Sequence, residues 1–424
     1  MARRTTRAVT ALLLLALLDS PPLSLPAAVQ QALAHNPAIQ TSQAAVAQAR
    51  AQLHLTEVPW FPSASLDLSG NETAPSEQGH FGEPFQSNTA DASIRQTVSD
   101  FGRTHTAVAA AQDSLQAAQA SLQSQQQSVA LTVETQYFTV LANEELVDIA
   151  QDSVRDQQKH VEQTQAFYQQ GVKAKLDVAQ AQTSLASSQL ALVQAENARD
   201  QAYVSLNTAM GLRSATPAHL DKTLLERAPT SPDVDPLLQE AWASRPDVLA
   251  LQAQLAASRA DLDLARLGLN PTLSGQGSVN VLNQSTQNNP SWTVSMALNV
   301  PLLDGHQTRS QIELAQANLQ SLQSQSETLH DTVFQQVQND VLAFKAAVRS
   351  VQVNRTGVES AAEAFHLADA RYEVGLGSSV DYLDAHLAYV QARSALVSAE
   401  AAQQESQAQL EHDVGNILTQ LEGK

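Results

Sequence analysis

Cysteine is absent from all 424 residues, which excludes disulfides, thiolate metal sites and a lipid-bearing N-terminal cysteine. Aromatic residues are scarce, at 4%, so no bulky globular core is available. Basic residues are outnumbered by acidic ones, 24 against 43, and the formal charge of −19 removes the basic face that a nucleic-acid partner would need. Long apolar runs are missing too: beyond the first residues, nothing approaches the ~20 apolar positions of a spanning helix. A chain of this kind crosses a membrane only as β-structure. The catalytic patterns are equally absent. The eleven histidines are scattered, with no H-E-x-x-H spacing, and neither a glycine-rich phosphate loop nor a G-x-S-x-G elbow occurs. No enzyme, cofactor or bound metal is expected.

What fills the chain instead is Ala, Gln, Leu, Ser and Val in long stretches, a composition suited to long helices with thin contacts. The start is different. Arg3, Arg4 and Arg7 precede the apolar run from Val9 to Leu18, which Asp19 ends. A basic start before about ten apolar residues is the pattern of a secretory signal, too short to span a bilayer, and residues 1–20 are expected to be one.

The remainder is written twice. Pro37 and Pro246 share one spacing with Pro62 and Pro271 (246 − 37 and 271 − 62, both 209). Tyr168, Gly171 and Asp177 recur as Tyr372, Gly375 and Asp381, and Gly102 recurs as Gly305. A first repeat over 21–210, an equatorial linker over 211–234, a second repeat over 235–416 and a tail over 417–424 follow. In each half, helical apolar spacing (28–56 and 235–267) leads to two short alternating stretches. These are 63–69 and 91–98 in the first half, 272–280 and 292–300 in the second. Polar segments 71–90 and 281–291 read as the loops between them. After Gly102 a stretch to about Gln170 contains no proline and no internal glycine, and a second helix covers 176–209. The second half repeats this as 306–371 and 379–415.

Alternation over 7–10 residues matches a tilted transmembrane strand. Four strands, however, cannot close. An open sheet in lipid leaves two edges, each unsatisfied backbone group costing several kcal/mol. Small barrels need about eight strands, so chains must pool theirs. Two chains give eight and three give twelve; only the larger leaves a lumen wide enough to continue a tunnel.

These features resemble the TolC-like outer-membrane efflux protein family (outer membrane factors). The resemblance rests on the start Leu23-Ser24-Leu25-Pro26-Ala27-Ala28-Val29 with Ala32, Leu33 and Asn36-Pro37, and on Gln96-Thr97-Val98-Ser99-Asp100-Phe101-Gly102. It rests also on Val374-Gly375-Leu376 and on Asp381-Tyr382-Leu383-Asp384. It implies a mainly α protein with a membrane β-barrel: a homotrimer with a twelve-stranded barrel in outer-membrane lipid, continued by a twelve-helix periplasmic α-barrel. It further implies docking onto a periplasmic adaptor and an inner-membrane pump. The expected function is the exit duct of such a pump, opening when the 176–209 and 379–415 helices swing outward. A type I protein-secretion duct shares this fold, and a non-channel trimeric stalk is the alternative from another class, though a stalk has no use for paired strands.

Site residues follow from the same resemblance. Asp381 and Asp384 share a helix face and would form a carboxylate constriction, six groups in a trimer, that binds cations. Helix capping is the competing role, since Ser378-x-x-Asp381 is a capping-box pattern. Tyr372 and Asp177 match the residues that hold the tips shut, but the arginine of that pattern is replaced by Gly377, leaving Lys173 or Lys175 to substitute. Gly171 and Gly375 read as turn glycines with φ > 0. The tips Gly171-Val172 and Val374-Gly375-Leu376 would be adaptor-docking points. Trp60, Phe61 and Trp292 flank strands and suit either an interfacial belt or core packing. His386, near Asp384, reads as a lone helix-surface histidine.

Overall fold

The computed structural model describes residues 22–77, 80–215, 220–221, 233–284 and 287–421; the proposed signal, most of the 211–234 linker and residues 422–424 lie outside them. The chain divides into two compact units: one takes residues 42–122 and 247–329, the other takes 123–246 and 330–424 together with the N-terminal segment. The repeat appears as elements in the same order. Helix α1 (Leu25–His35) and α2 (Pro37–Glu57) lead to β1 (Ser63–Thr73) and β2 (Phe85–Ser99), then α3 (Arg103–Gln169) and α4 (Lys175–Ala209). The second set is α5 (Val234–Ser244), α6 (Pro246–Arg266), β3 (Thr272–Gln284), β4 (Gln287–Asn299), α7 (Gln307–Glu373), α8 (Ser379–Val414) and a short α9 (Ile417–Leu421).

In the first of these units the four strands form one antiparallel sheet in the order β1-β2-β3-β4, with β1 and β4 at its edges. Its registers separate two faces. Leu66, Ala92, Val279 and Trp292 lie in one cross-strand row, and Ala64, Ile94, Gly277 and Val294 in the next. On the opposite face the rows are Ser65, Ser93, Ser278, Thr293 and Asp67, Asp91, Asn280, Ser291. Leu66, Leu68, Ile94, Trp292, Val294, Met296 and Leu298 are all exposed. Period-2 alternation has therefore produced an uncovered apolar face backed by a polar, acidic one.

The strands run longer than the alternation suggested. Segments 71–90 and 281–291, expected as loops, are largely strand; a two-residue hairpin (Ser76–Glu77 with His80–Phe81) tops the first pair. Thr, Ser and Asn keep ladder bonds without apolar patterning, so the strands continue past the apolar band. Pro290 is tolerated because β4 is an edge strand. This extension also corrects the reading of Trp292, which lies within β4 rather than flanking it. Trp60 and Phe61 do precede β1, and both are exposed.

Each strand pair hands over to a long helix through a left-handed turn, Phe101-Gly102 in one half and Gly305-His306 in the other. Asp100 and Asp304 cap the helices that follow: Thr104 N–H donates to Asp100 at 2.7 Å and Thr308 N–H to Asp304 at 2.8 Å. The Ser99-Asp100-Phe101-Gly102 motif is thus a strand end, a cap and a turn.

In the other unit small side chains let the helices approach closely, as where Ala142 and Ile149 of α3 meet Val397 and Ala401 of α8. The helix expected over 28–56 is two helices, broken at Asn36 because a residue before proline disfavours the α region; Arg245 breaks 235–267 likewise. The two breaks are tied down equivalently. Asn36 Nδ2 donates to the Ala209 carbonyl at the end of α4, and Arg245 Nη1 to the Asp413 carbonyl near the end of α8. Gly211 and Gly415, both left-handed, pass beside these breaks: a Cβ on Gly211 would lie 2.7 Å from the His35 carbonyl oxygen, and one on Gly415 3.0 Å from Arg245 Cα.

Candidate functional site

The two turns that join α3 to α4 and α7 to α8 belong to the same unit and carry most of the residues singled out above. Each turn closes by the same backbone chemistry. Val172 N–H donates to the Phe167 carbonyl and Leu376 N–H to the Arg371 carbonyl, with Gly171 and Gly375 at φ +75° and +79°. Nothing lies within 4 Å of where a Cβ on either glycine would be. These two are glycines for conformation, not for space. Around them Val172, Leu176, Val374 and Leu376 are exposed, an apolar surface on both turns.

Helix starts consume one of the proposed gate residues. Asp177 accepts the Ala174 N–H at 2.9 Å and so caps its own helix α4. At α8 the cap is Ser378, whose hydroxyl accepts from Val380 N–H at 3.2 Å. The other half of the expected capping box is not made: Asp381 gives no bond back to Ser378. Asp381 and Asp384 are both exposed, and among the described residues neither has a hydrogen-bond or ion-pair partner. Asp384 borders a groove of ≈ 640 Å³ between α3, α4 and α8, with Ser153, Ser187 and Leu387 among its other lining residues.

Tyr372 is fully buried and does not bond Asp177. Its hydroxyl meets Thr164 Oγ1 at 2.6 Å, and Thr164 in turn donates to the His160 carbonyl. Asp177 is thus engaged as a helix cap and Tyr372 is bonded to α3.

Around Tyr372 the structure assembles a polar core that sequence reasoning missed. His160 is fully buried, stacks on Tyr382 at 4.0 Å between ring centroids, and its Nε2 lies 3.1 Å from Ser379 Oγ. His386, read as a surface residue, is buried: Nδ1 meets Gln157 Nε2 at 3.0 Å, and Asp156 lies 3.9 Å from Nε2. Burial, reinforced by His386 and Lys173, pulls the His160 pKa down to about 4. Burial also lowers that of His386, against the pull of Asp156. Burial raises those of Tyr372 and Tyr382. Both imidazoles are neutral at pH 7, and the side-chain to side-chain bonds of the cluster join α3 to α7 or α8. A helix-borne histidine surrounded by Gln and Lys carries no sequence signal for this.

Lys173 supplies the remaining link. Its Nζ donates to the Gly377 carbonyl at 2.8 Å and stands 5.1 Å from the centre of the Tyr372 ring. Gly377 itself is restricted by space: a Cβ there would lie 2.9 Å from Tyr372 N and 3.1 Å from the Arg371 carbonyl carbon. The arrangement holds helices together; it offers no activated nucleophile and no acid–base pair facing a substrate pocket.

A family model described as outer membrane efflux protein matches residues 28–212 and again 237–416, once in each half of the chain. The probable efflux pump outer membrane protein TtgC of Pseudomonas putida is 22% identical over 397 residues, covering 91% of this chain and 82% of that protein. Outer membrane protein TolC of Escherichia coli is 29% identical over 106 residues, 25% of this chain and 22% of that one. Among solved structures, the Campylobacter jejuni CmeC outer membrane channel superposes with a TM-score of 0.82 at 16% identity, covering 93% of this chain and 86% of that chain. The Neisseria gonorrhoeae MtrE outer membrane channel, solved in its open state, gives 0.80 at 21%, covering 93% and 89%. At these identities the structures establish the fold alone.

Proposed function

Since the chain belongs to the outer membrane efflux protein family, whose members are channels and not enzymes, we propose that three copies form the exit duct of a tripartite pump. The observation that carries this reading is the four-stranded sheet, with an exposed apolar face, a polar reverse and unpaired edges at β1 and β4. In lipid those edges demand partners, and head-to-tail pairing of three sheets gives a closed twelve-stranded barrel. The apolar rows face acyl chains; the rows containing Asp67 and Asp91 face water. The long helices continue the duct into the periplasm. Secretion directed by residues 1–20 delivers the chain.

At the far end, Val172, Val374 and Leu376 offer apolar contacts to a periplasmic adaptor, which couples the duct to an inner-membrane pump. Asp381 and Asp384, unpartnered among the described residues, form the constriction when three copies meet around an axis. Tyr372, braced on α3, sets the position of the turn that carries them. Asp177 shapes the first turn by capping.

Single-channel recording in planar bilayers tests both parts of the reading. The purified protein should conduct weakly and be blocked by divalent cations, and Asp381→Ala with Asp384→Ala should relieve that block. A detergent-solubilised protein that forms no pore at all would sink the duct; an unchanged block in the double variant would remove the constriction only.

A further inference from the structure

We propose that Asp340 of α7 and Asp413 of α8 share one proton. That proton fastens the end of α8 to α7 and to the break between α5 and α6, and its loss as pH rises loosens the junction. All of these residues lie in one unit of a single protomer, so the device needs no duct.

The contact is one between acceptors. Asp413 is buried, and both its carboxyl oxygens are already engaged: Oδ1 lies 2.8 Å from His412 Nδ1, and Oδ2 accepts from Gln409 Nε2 at 2.9 Å. Asp340 Oδ2 is closed off from solvent, and among the described residues no donor reaches it. What the Asp340 side chain meets is the Asp413 carboxyl, to which it is hydrogen-bonded. Two ionised carboxylates would repel here; a proton between them turns the repulsion into a bond. Water is kept away, since Val341 and Val414, next in sequence to the two carboxyls, are buried in one apolar cluster with Leu410. From the break between α5 and α6, buried Arg245 gives Nη1 to the Gln336 side chain at 2.9 Å and to the Asp413 carbonyl at 3.0 Å. From α3 comes only the uncharged Gln127, which donates to the Gly415 carbonyl at 2.7 Å. Burial and the adjoining Asp413 push the Asp340 carboxyl far above its usual range, against the pull of Arg245. Burial would raise Asp413 too, but bonds from His412, Asp340 and Gln409 hold it low. One proton is thus kept on Asp340 to a pH at which an ordinary carboxyl has lost it.

The first half of the chain serves as an internal reference. The repeat offsets, 204 for the long helices and 209 for the breaks, carry Asp340, Asp413 and Arg245 back to Gln136, Ala209 and Asn36. There the break closes with neutral groups, Asn36 Nδ2 donating to the Ala209 carbonyl, and Gly211 passes beside it as Gly415 does in the second half. Arg245 makes the equivalent bond to backbone. The fold therefore needs no carboxyl pair to close such a break, and the second half carries one in addition. One junction is blind to pH and the other reads it. Helix α8 then answers pH oppositely at its two ends. Acid loosens its start, where neutral His160 packs on Ser379 and Tyr382, and a rise toward neutral loosens its end.

The folded pKa of Asp340 stands above the unfolded one. Its stabilisation is therefore complete below the unfolded value of 3.8 and is lost as pH rises through the folded one. In the detergent-solubilised protein, protection of amides 408–416, taken relative to their intrinsic exchange, should fall roughly tenfold or more from pH 5 to pH 7. Protection of amides 204–212, the same place in the first half, should stay level. Asp340→Asn keeps a donor for Asp413 and removes the titration, so protection at 408–416 should become level as well. Should that variant not fold, Asp413→Asn gives the same reading, because its amide can donate to an ionised Asp340. Level or rising protection at 408–416 in the natural protein overturns the shared proton. A fall that persists in the Asn variant assigns the slope to His412 and overturns it too, as do equal falls at 204–212 and 408–416.

Discussion

At the scale of single residues, the left-handed glycines fall into two kinds, and the difference has a measurable size. Gly171 and Gly375 face open space, whereas Gly211 and Gly415 pass against backbone at the helix breaks. Alanine at Gly171 should cost only the left-handed conformation, about 1–2 kcal/mol. Alanine at Gly211 carries the same strain plus a contact of 2.7 Å that must be relieved by moving α1. The thermal midpoint of the detergent-solubilised protein should therefore fall clearly further for Gly211→Ala than for Gly171→Ala. Equal losses would mean that α1 yields freely at His35. The turn glycines were legible from their repeated spacing with Tyr and Asp. The packing role of Gly211 and Gly415 was not, because it depends on backbone 170 or more residues away.

At the scale of elements, α3 and α8 are joined by a seam of imidazoles and hydroxyls rather than by aliphatic packing alone. His160 faces Thr164 on its own helix, Tyr372 from α7, Ser379, Tyr382 and His386 from α8, Lys173 from the turn and Asp177 from the start of α4. An imidazole held neutral contributes its full stability above its ordinary value of 6.5. That contribution drains away as pH falls toward about 4, because the unfolded form takes up the proton first. Protection of the amides of residues 379–386, measured relative to their slower intrinsic exchange in acid, should be lower at pH 5 than at pH 7, and His160→Asn should remove most of that difference. A slope that survives in the Asn variant would assign it elsewhere, for instance to His386. Helix lengths and strand pairs were readable because they are local patterns. The seam was not, since its bonds between helices join residues more than 200 apart, and a lone histidine looks the same whether buried or wet.

At the scale of the whole molecule, the proposed barrel requires the sheet to satisfy two solvents at once. Val279 sits on the apolar face beside Ala92 and Trp292, and Ser278 on the polar face beside Ser93 and Thr293. Arginine at a lipid-facing position near the middle of a strand costs about 2–4 kcal/mol, and one facing the lumen costs far less. Val279→Arg should lower the amount of folded protein recovered from outer membranes, while Ser278→Arg should fold and shift ion selectivity toward anions. Comparable losses from both would contradict the assignment of faces. The alternation that marks these faces was plain in the sequence, yet strand ends were not, because Ser, Thr and Asn extend a ladder as willingly as they form a loop.

The edges of that sheet also govern how copies of the protein deal with one another. β1 and β4 are different surfaces, so each copy has a head that accepts and a tail that offers. A copy with a spoiled β4 keeps a sound β1, and can still enter a growing ring and halt it. In the proposed three-copy duct, a cell making both kinds equally would leave roughly one ring in eight whole. Damage at β4 would then behave as a poison rather than a simple loss, and the sickness of such a cell would grow with the dose of the broken copy.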